Sequence, residues 1–348
     1  MNHVQRIACV LAGRVPDRPP VSFWHHFAPD QYSGRAAVEA HLDHLHAFDL
    51  DFLKVMNDNG YPHPGHLETA ADLASLQECR GDEDEFARQL DLLAELKSQL
   101  HGQVLLTTTI FNSWSVLRNL IRPPKVHRPP NLDAGATDEP SAQIRAWAAQ
   151  DPQAAHGALR RIGASLANFA RRCLGAGADG VFLSVRDDWV RGGDTGSDGL
   201  YQQMVRPTDL AILHAAEGGV FNLLHVCGRA VDFRSFAGYP VHAVNWADRA
   251  AGPSIAQVRD WLQPVLCAGV DNLTALPDGT PQDCAQQVAD ALRQAGDRPI
   301  ILAPGCTYDP ARVPRENLQA VCAAARGVPS SVSGGTAAPP ASWPAPPA

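Results

Sequence analysis

Three side chains in this 348-residue chain have the types and spacing of a metal site: His225 and Cys227 in FNLLHVCGR (221–229), and Cys306 in IILAPGCTYDP (300–310). Each stretch opens as an apolar run short enough for a buried strand and ends at soft, metal-binding side chains. Residues i and i+2 of a strand point the same way, so His225 and Cys227 can converge on one ion at a strand end. A cysteine from a second strand supplies a third ligand. Three N/S ligands with a fourth position open is the pattern of a catalytic zinc, whereas structural zinc is closed by four protein ligands. The competing reading is plain core packing, because free cysteine is often buried and the chain has eight cysteines.

The elements that must position these residues alternate along the chain. Strands are expected at 20–24, 51–56, 103–110, 179–185, 219–226, 241–246, 264–270 and 299–304. Helices are expected at 2–13, 35–48, 68–102, 113–121, 151–175, 197–217, 229–237, 280–296 and 314–326. Eight strands alternating with helices predict an α/β fold, a single (β/α)8 TIM barrel over 1–326, in which function gathers at the C-terminal ends of the strands. Residues 122–142, with five prolines, read as an irregular insertion, either a lid or a surface excursion. Residues 327–348 are a Pro/Ala/Ser/Gly tail that cannot bury enough to fold.

Bulk properties narrow the partners. A net charge of −8 offers no basic field for nucleic acid or an anionic membrane, so a small molecule is expected. Cysteines scattered through a large chain point to reduced thiols and a cytoplasmic setting. The short run IACVLAG leads into RVPDRPPV and reads as a helix rather than a signal peptide. No apolar stretch approaches the roughly 20 residues that span a bilayer.

At the expected strand ends stand His25 and His26, Asn57 and Asp58, Asn112 and Ser113, Asp188 and Trp189, His225 and Cys227, Asn245 and Trp246, Asp271 and Asn272, and Cys306. Core packing alone does not require polar and metal-capable residues to collect at one rim. Asp58 is the candidate acid or base. His25, His26, Asn57, Asn112, Asp188, Asn245 and Trp246 are candidates for holding a substrate. Capping of the following helix is an equal reading for Asn112 and Ser113.

The segments RVPDRPPVSFW, GADGVFLSV, HVCGRAVDF, VNWADRA, VLCAGVD and APGCTYDPARVPRENLQAVCAAAR, in that order, resemble the uroporphyrinogen decarboxylase superfamily. That superfamily also holds zinc methyltransferases passing methyl groups between corrinoid proteins and thiols, with cobalamin-independent methionine synthase more distant. The resemblance departs from the decarboxylases at their substrate positions. Where they carry an arginine-bearing segment after the first strand, this chain has HHFAPDQY, with no arginine between Arg18 and Arg35; Phe111 to Arg122 lacks their tyrosine. Their closing histidine falls on Cys306, and Asp58 keeps their aspartate.

The resemblance implies a methyltransferase in which one zinc at His225, Cys227 and Cys306 holds a thiol as thiolate, with Asp248 or Asp58 as an exchangeable fourth ligand. Methyl would pass to or from a corrinoid supplied by a separate protein or free, since no DxHxxG sequence occurs here. Two alternatives stay open: a tetrapyrrole (uroporphyrinogen-type) decarboxylase using Asp58 without metal, and a non-catalytic binder of a tetrapyrrole or metal. Family decarboxylases are often homodimers, and no sequence feature decides that here.

Overall fold

The structure, a computed structural model, describes residues 1–121, 139–186, 199–228 and 231–327. Its centre is a curled sheet of seven parallel strands in chain order: β1 (Phe52–Val55), β2 (Leu105–Phe111), β3 (Gly180–Arg186), β4 (Leu223–Cys227), β5 (Ala243–Trp246), β6 (Val265–Val270) and β7 (Ile301–Pro304). Parallel neighbours require a crossover between each pair, so both sheet faces are covered and the strands read as continuous apolar runs. One set of alternate residues points inward, where Trp24, Phe52, Phe182, Phe221, Leu223, Cys267 and Ile301 form a closed cluster. The other set, including Leu53, Leu183, Leu224, Val226, Leu266 and Leu302, packs against the surrounding helices.

The stretch 20–24, expected as the first strand, is instead an extended segment with a single parallel bridge, Val21 to Leu302 of β7. It contacts both ends of the sheet: the Leu302 and Ser22 N–H groups donate to Pro20 O and Leu302 O, and Asp51 N–H donates to Val21 O beside β1. Two features stop a regular ladder. Prolines 19 and 20 lack donors, and the Val21 N–H is taken by the Asp51 carboxylate at 2.8 Å. Asp51, fully buried, also receives Arg6 Nη1 at 2.5 Å and Arg18 Nη1 at 2.6 Å, which fastens helix α1 (His3–Leu11) across this end of the sheet. Burial pushes the Asp51 carboxyl up, but His3 and the two arginines outweigh it and hold it below the usual carboxylate range.

The helices follow expectation with four differences, one being that the helix expected over 229–237 is, among the described residues, a 3-10 turn at Phe233–Phe236. Helix α2 (Gly34–Phe48) matches, but the long helix expected over 68–102 is a 3-10 turn, Ala70–Ser75, followed after a break by α3 (Asp84–Leu100). Gly81 causes the break: it has φ +85°, and a Cβ there would lie 2.5 Å from the backbone of Phe169. The second difference is α5 (Glu139–Gln150), which follows α4 (Ser113–Ile121) and takes in the last four residues of the stretch read as irregular. Residues 122–138 and the tail from 328 lie outside the described residues. Helix α6 (Pro152–Gly175) starts from an Asp151 cap with proline at its first position. Third, the helix expected over 197–217 is a π-turn, Tyr201–Val205, followed by α7 (Arg206–Ala215). Short α8 (Ile255–Val258) and α9 (Ala275–Asp278), then α10 (Pro281–Ala295) and α11 (Arg315–Arg326), complete the set. Among the described residues no helix is long and apolar enough to cross a membrane.

Candidate metal centre

His225 and Cys227 occupy the C-terminal end of β4 at i and i+2, both on the inward face. Cys306 lies in the loop leaving β7. Gly305 carries that loop past the end of β5: a Cβ there would lie 2.4 Å from Ala247 Cα, and its N–H donates to Val270 O. Asn272 Nδ2 donates to Thr307 O at 3.0 Å from the other side. The result is that one ligand atom from each of His225, Cys227 and Cys306 lies within 4.8 Å of the other two. Cys306 Sγ is 3.5 Å from His225 Nε2.

Asn245 of β5 settles which nitrogen of His225 faces the sulfur atoms. Its Nδ2 donates to the carbonyls of Cys267 at 2.6 Å and Pro304 at 2.9 Å, so both amide hydrogens are committed. Its Oδ1 must therefore accept, and at 2.6 Å it receives the proton of His225 Nδ1. That leaves a lone pair on Nε2 beside Cys306, the tautomer a metal-binding histidine needs. Phe182 stacks on the ring from below, with centroids 5.5 Å apart.

The two thiols share one proton. The hydrogen bond from Cys227 holds Cys306 down at about 6 against its burial, helped by the positive charge of Lys54 and by hydrogen bonds from Thr307. The same bond, together with burial, pushes Cys227 well above the ordinary thiol range. The pair titrates as a unit, with Cys306 the more readily ionised of the two.

The other expected site residues divide. His26 Nδ1 meets Asp58 Oδ1 at 2.5 Å, and Asp58 Oδ2 accepts the Phe27 N–H at 3.2 Å, so both carboxylate oxygens are engaged. His25 is half-buried, its Nδ1 on the His26 carbonyl and its ring 5.2 Å from Tyr308; burial pushes it down. Asn57 Oδ1 accepts the Asn59 N–H.

Three of the expected residues have partners within the protein. Asn112 is fully buried and caps α4 by accepting the Ser115 N–H, the capping alternative read from the sequence. Asn245 lies beneath His225, its Oδ1 on His225 Nδ1. Trp246 points outward into the helix layer, fully buried, with its N–H on Pro253 O and its ring edge-on to Phe233. Asp188, with Trp189, lies outside the described residues. Neither Asp248 nor Asp58 joins the three-residue cluster; Asp248 Oδ1 instead accepts the Gly269 N–H, and burial raises its carboxyl to about 6.

Sequence reasoning missed Lys54. It lies in the middle of β1, 5% exposed, with Nζ 4.3 Å from the centre of the Phe182 ring. The signal was present: a charged residue inside the apolar run DFLKVM, in phase with inward-facing Phe52.

A family model described as uroporphyrinogen decarboxylase (URO-D) matches residues 45–328. The chain belongs to the URO-D family. Among solved structures, a methyltransferase from Methanosarcina mazei is similar, with TM-score 0.67 and 15% identity over 93% of this chain and 98% of that one. A B12-independent methionine synthase from a Shewanella species aligns at TM-score 0.42 and 11% identity, over 67% of this chain and 65% of that one. At these identities the likeness concerns the fold alone, and the second value is too low to carry an argument. No curated protein matches. The family match starts at residue 45, later than the resemblance seen from residue 4, and so leaves out the segment 20–24.

Proposed function

We propose that this URO-D family member is a zinc-dependent methyltransferase that activates a small thiol for methyl transfer to or from a corrinoid, built on a complete (β/α)8 barrel with 20–24 in the eighth strand's place. The observation that carries the reading is the convergence of His225, Cys227 and Cys306 at the C-terminal ends of parallel strands, with His225 locked in the ligating tautomer. The donor set fits zinc: one neutral imidazole nitrogen and two sulfurs, with no fourth protein ligand in the cluster among the described residues. Bound there, zinc would supply a Lewis acid that keeps a thiol deprotonated at neutral pH.

The chain's own residues account for the rest. Asn245 orients His225 and holds its Nδ1 proton. The cysteine pair, which shares one proton in the metal-free state, must release it on loading, so metal affinity should rise with pH. Asp58 anchors His26 and the Phe27 backbone at the mouth, a positioning role compatible with an acid–base function of the His26–Asp58 pair. The corrinoid would arrive on a separate protein or free, because the sequence carries no motif for it. Residues 1–326 would then form one catalytic domain.

The test is elemental analysis of tag-free, reduced protein beside a Cys306→Ala variant. About one zinc per chain is expected, lost in the variant, as three-ligand catalytic sites hold a single ion. Zinc-loaded protein should then demethylate methylcobalamin in a thiol-dependent manner. Protein that takes up no zinc when it is offered sinks the proposal and returns attention to Asp58 and decarboxylation.

A further inference from the structure

Two histidines at the C-terminal ends of the strands are held through Nδ1 and keep a lone pair on Nε2, and they differ in what holds them. His225 Nδ1 donates to a neutral amide, Asn245 Oδ1. His26 Nδ1 donates to a carboxylate, Asp58 Oδ1, at 2.5 Å. Asp58 Oδ2 accepts the Phe27 N–H at 3.2 Å, and His25 Nδ1 donates to the His26 carbonyl at 2.8 Å, so both the ring and the backbone of His26 are fixed. The chemistry of the two rings diverges from there. A neutral acceptor sets the tautomer and leaves the imidazole uncharged, as a metal ligand must be. A carboxylate also stabilises the imidazolium, which a proton acceptor has to become.

Their exposures agree with that division. His225 is 4% exposed, whereas the His26 side chain is 40% exposed with Asp58, at 9%, behind it. Among the described residues nothing pairs with His26 Nε2. The pair stands at the same end of the sheet as the metal cluster. His25 forms a parallel bridge with Tyr308, two residues beyond Cys306, and the Tyr308 N–H donates to Trp24 O at 3.2 Å. The segment carrying His26 therefore runs beside the loop carrying Cys306. Neighbouring groups are unsuited to accept a proton. Both Asp58 oxygens are engaged, burial pushes His25 down, and Lys54, lowered by burial only to about 8, is mainly protonated at neutral pH.

We infer that His26 takes the proton of the incoming thiol, with Asp58 as its positioning residue. The S–H bond breaks and its electron pair stays on sulfur, which enters the open position at the cluster. The proton bonds to His26 Nε2, directly or through one water, and the exposed imidazolium passes it to solvent. In the opposite direction a released thiolate recovers its proton from the same nitrogen. The acid–base role thus moves from the aspartate to the histidine it holds; the inference rests on the thiol chemistry proposed above.

Stopped-flow mixing of cobalt(II)-loaded protein with thiols tests this, because cobalt-bound thiolate absorbs in the near ultraviolet and no methyl transfer is needed. Two probes are used at neutral pH: 2-mercaptoethanol, almost wholly protonated there, and 2,2,2-trifluoroethanethiol, a much stronger acid that supplies its own thiolate. Both should bind the parent. His26→Gln, at an exposed position, should slow uptake of 2-mercaptoethanol on the order of 100-fold, the lower end of general acid–base catalysis, and leave trifluoroethanethiol within about twofold. Asp58→Asn, which keeps an acceptor for Nδ1 but removes its charge, should slow 2-mercaptoethanol by a smaller factor with the same selectivity. Equal slowing of both thiols in His26→Gln would mean that the residue only shapes the mouth, and unchanged uptake of 2-mercaptoethanol that it has no part in the step. Either result overturns the inference while the thiol reading stands. If the cobalt-loaded parent binds neither thiol, the thiol reading falls and the role of His26 falls with it.

Discussion

Replacing Asn245 with alanine removes one side chain and unpairs three groups at once: the His225 Nδ1–H and the carbonyls of Cys267 and Pro304, held at 2.6, 2.6 and 2.9 Å. Asn245 is fully buried, so these groups have no ready access to water. Each buried polar group left unpaired costs about 1–3 kcal/mol, and with some water entering the vacated space the total is on the order of 3 kcal/mol. The second effect falls on the metal. Without its acceptor the His225 ring can rotate and can place its proton on Nε2, the atom 3.5 Å from Cys306 Sγ. Loss of such a supporting bond lowers metal affinity about 10–100-fold. The assay is competition for zinc against a chromophoric chelator, with urea unfolding run in parallel to establish that the variant is folded at the working temperature. A folded Asn245→Ala protein whose zinc affinity stays within about twofold of the parent would refute the reasoning, because a supporting bond of this kind is worth tenfold or more.

Two further outcomes concern stability. Asp209 of α7 is fully buried, receives Tyr239 Oη–H at 2.8 Å, and has an unpaired Oδ1; burial raises its carboxyl from 3.8 to about 7. Between these values the unfolded chain loses the proton while the folded one keeps it, so Asp209 lowers stability as pH rises from about 4 to 7, by on the order of 4 kcal/mol. Buried His41 and His44, pushed down to about 4 and about 3, act in the opposite sense as pH falls below 6.5. The difference between Asp209→Asn and the parent isolates the aspartate: urea denaturation should find them alike at pH 4.5 and the variant more stable at pH 8, whereas parallel curves would contradict the assignment. Asp51→Asn should cost on the order of 3 kcal/mol, because it takes the close counter-ion from the Arg18 charge, while Arg6 keeps Asp17; a melting temperature unchanged from the parent would show that this cluster does not hold α1 and 20–24 to the sheet.

What the sequence determined by itself was whatever depends on local pattern. Apolar runs such as GVFLSV and VLCAGV, each opened by glycine or proline and too short for a packed helix, read as buried parallel strands. The i, i+2 spacing placed His225 and Cys227 on one face before any partner was known, and the order of the motifs brought Cys306 to the same end of the sheet. Local pattern failed where a distant contact decides. Residues 68–102 have helical periodicity throughout, yet Gly81 must lie against the backbone of Phe169, and that approach interrupts the helix. The stretch 20–24 has a strand's composition, but its Val21 N–H is claimed by the Asp51 carboxylate, 30 residues away.

Only the tertiary structure distinguished side chains at strand ends that look alike in sequence. Asn112 and Asn245 both follow apolar runs; one caps a helix, and the other orients a histidine contributed by the neighbouring strand. Trp246 and Asn245 are adjacent, and the pleat sends one outward into the helix layer and the other inward beneath the metal cluster. Lys54 has the same origin. A lysine in a strand is ordinary in sequence, and it becomes informative once the curl of the sheet surrounds its ammonium with Phe182, Trp24 and Met56. Periodicity sets the direction in which a side chain points, but what it meets there depends on strands that are far apart in the chain and neighbours only in the folded sheet.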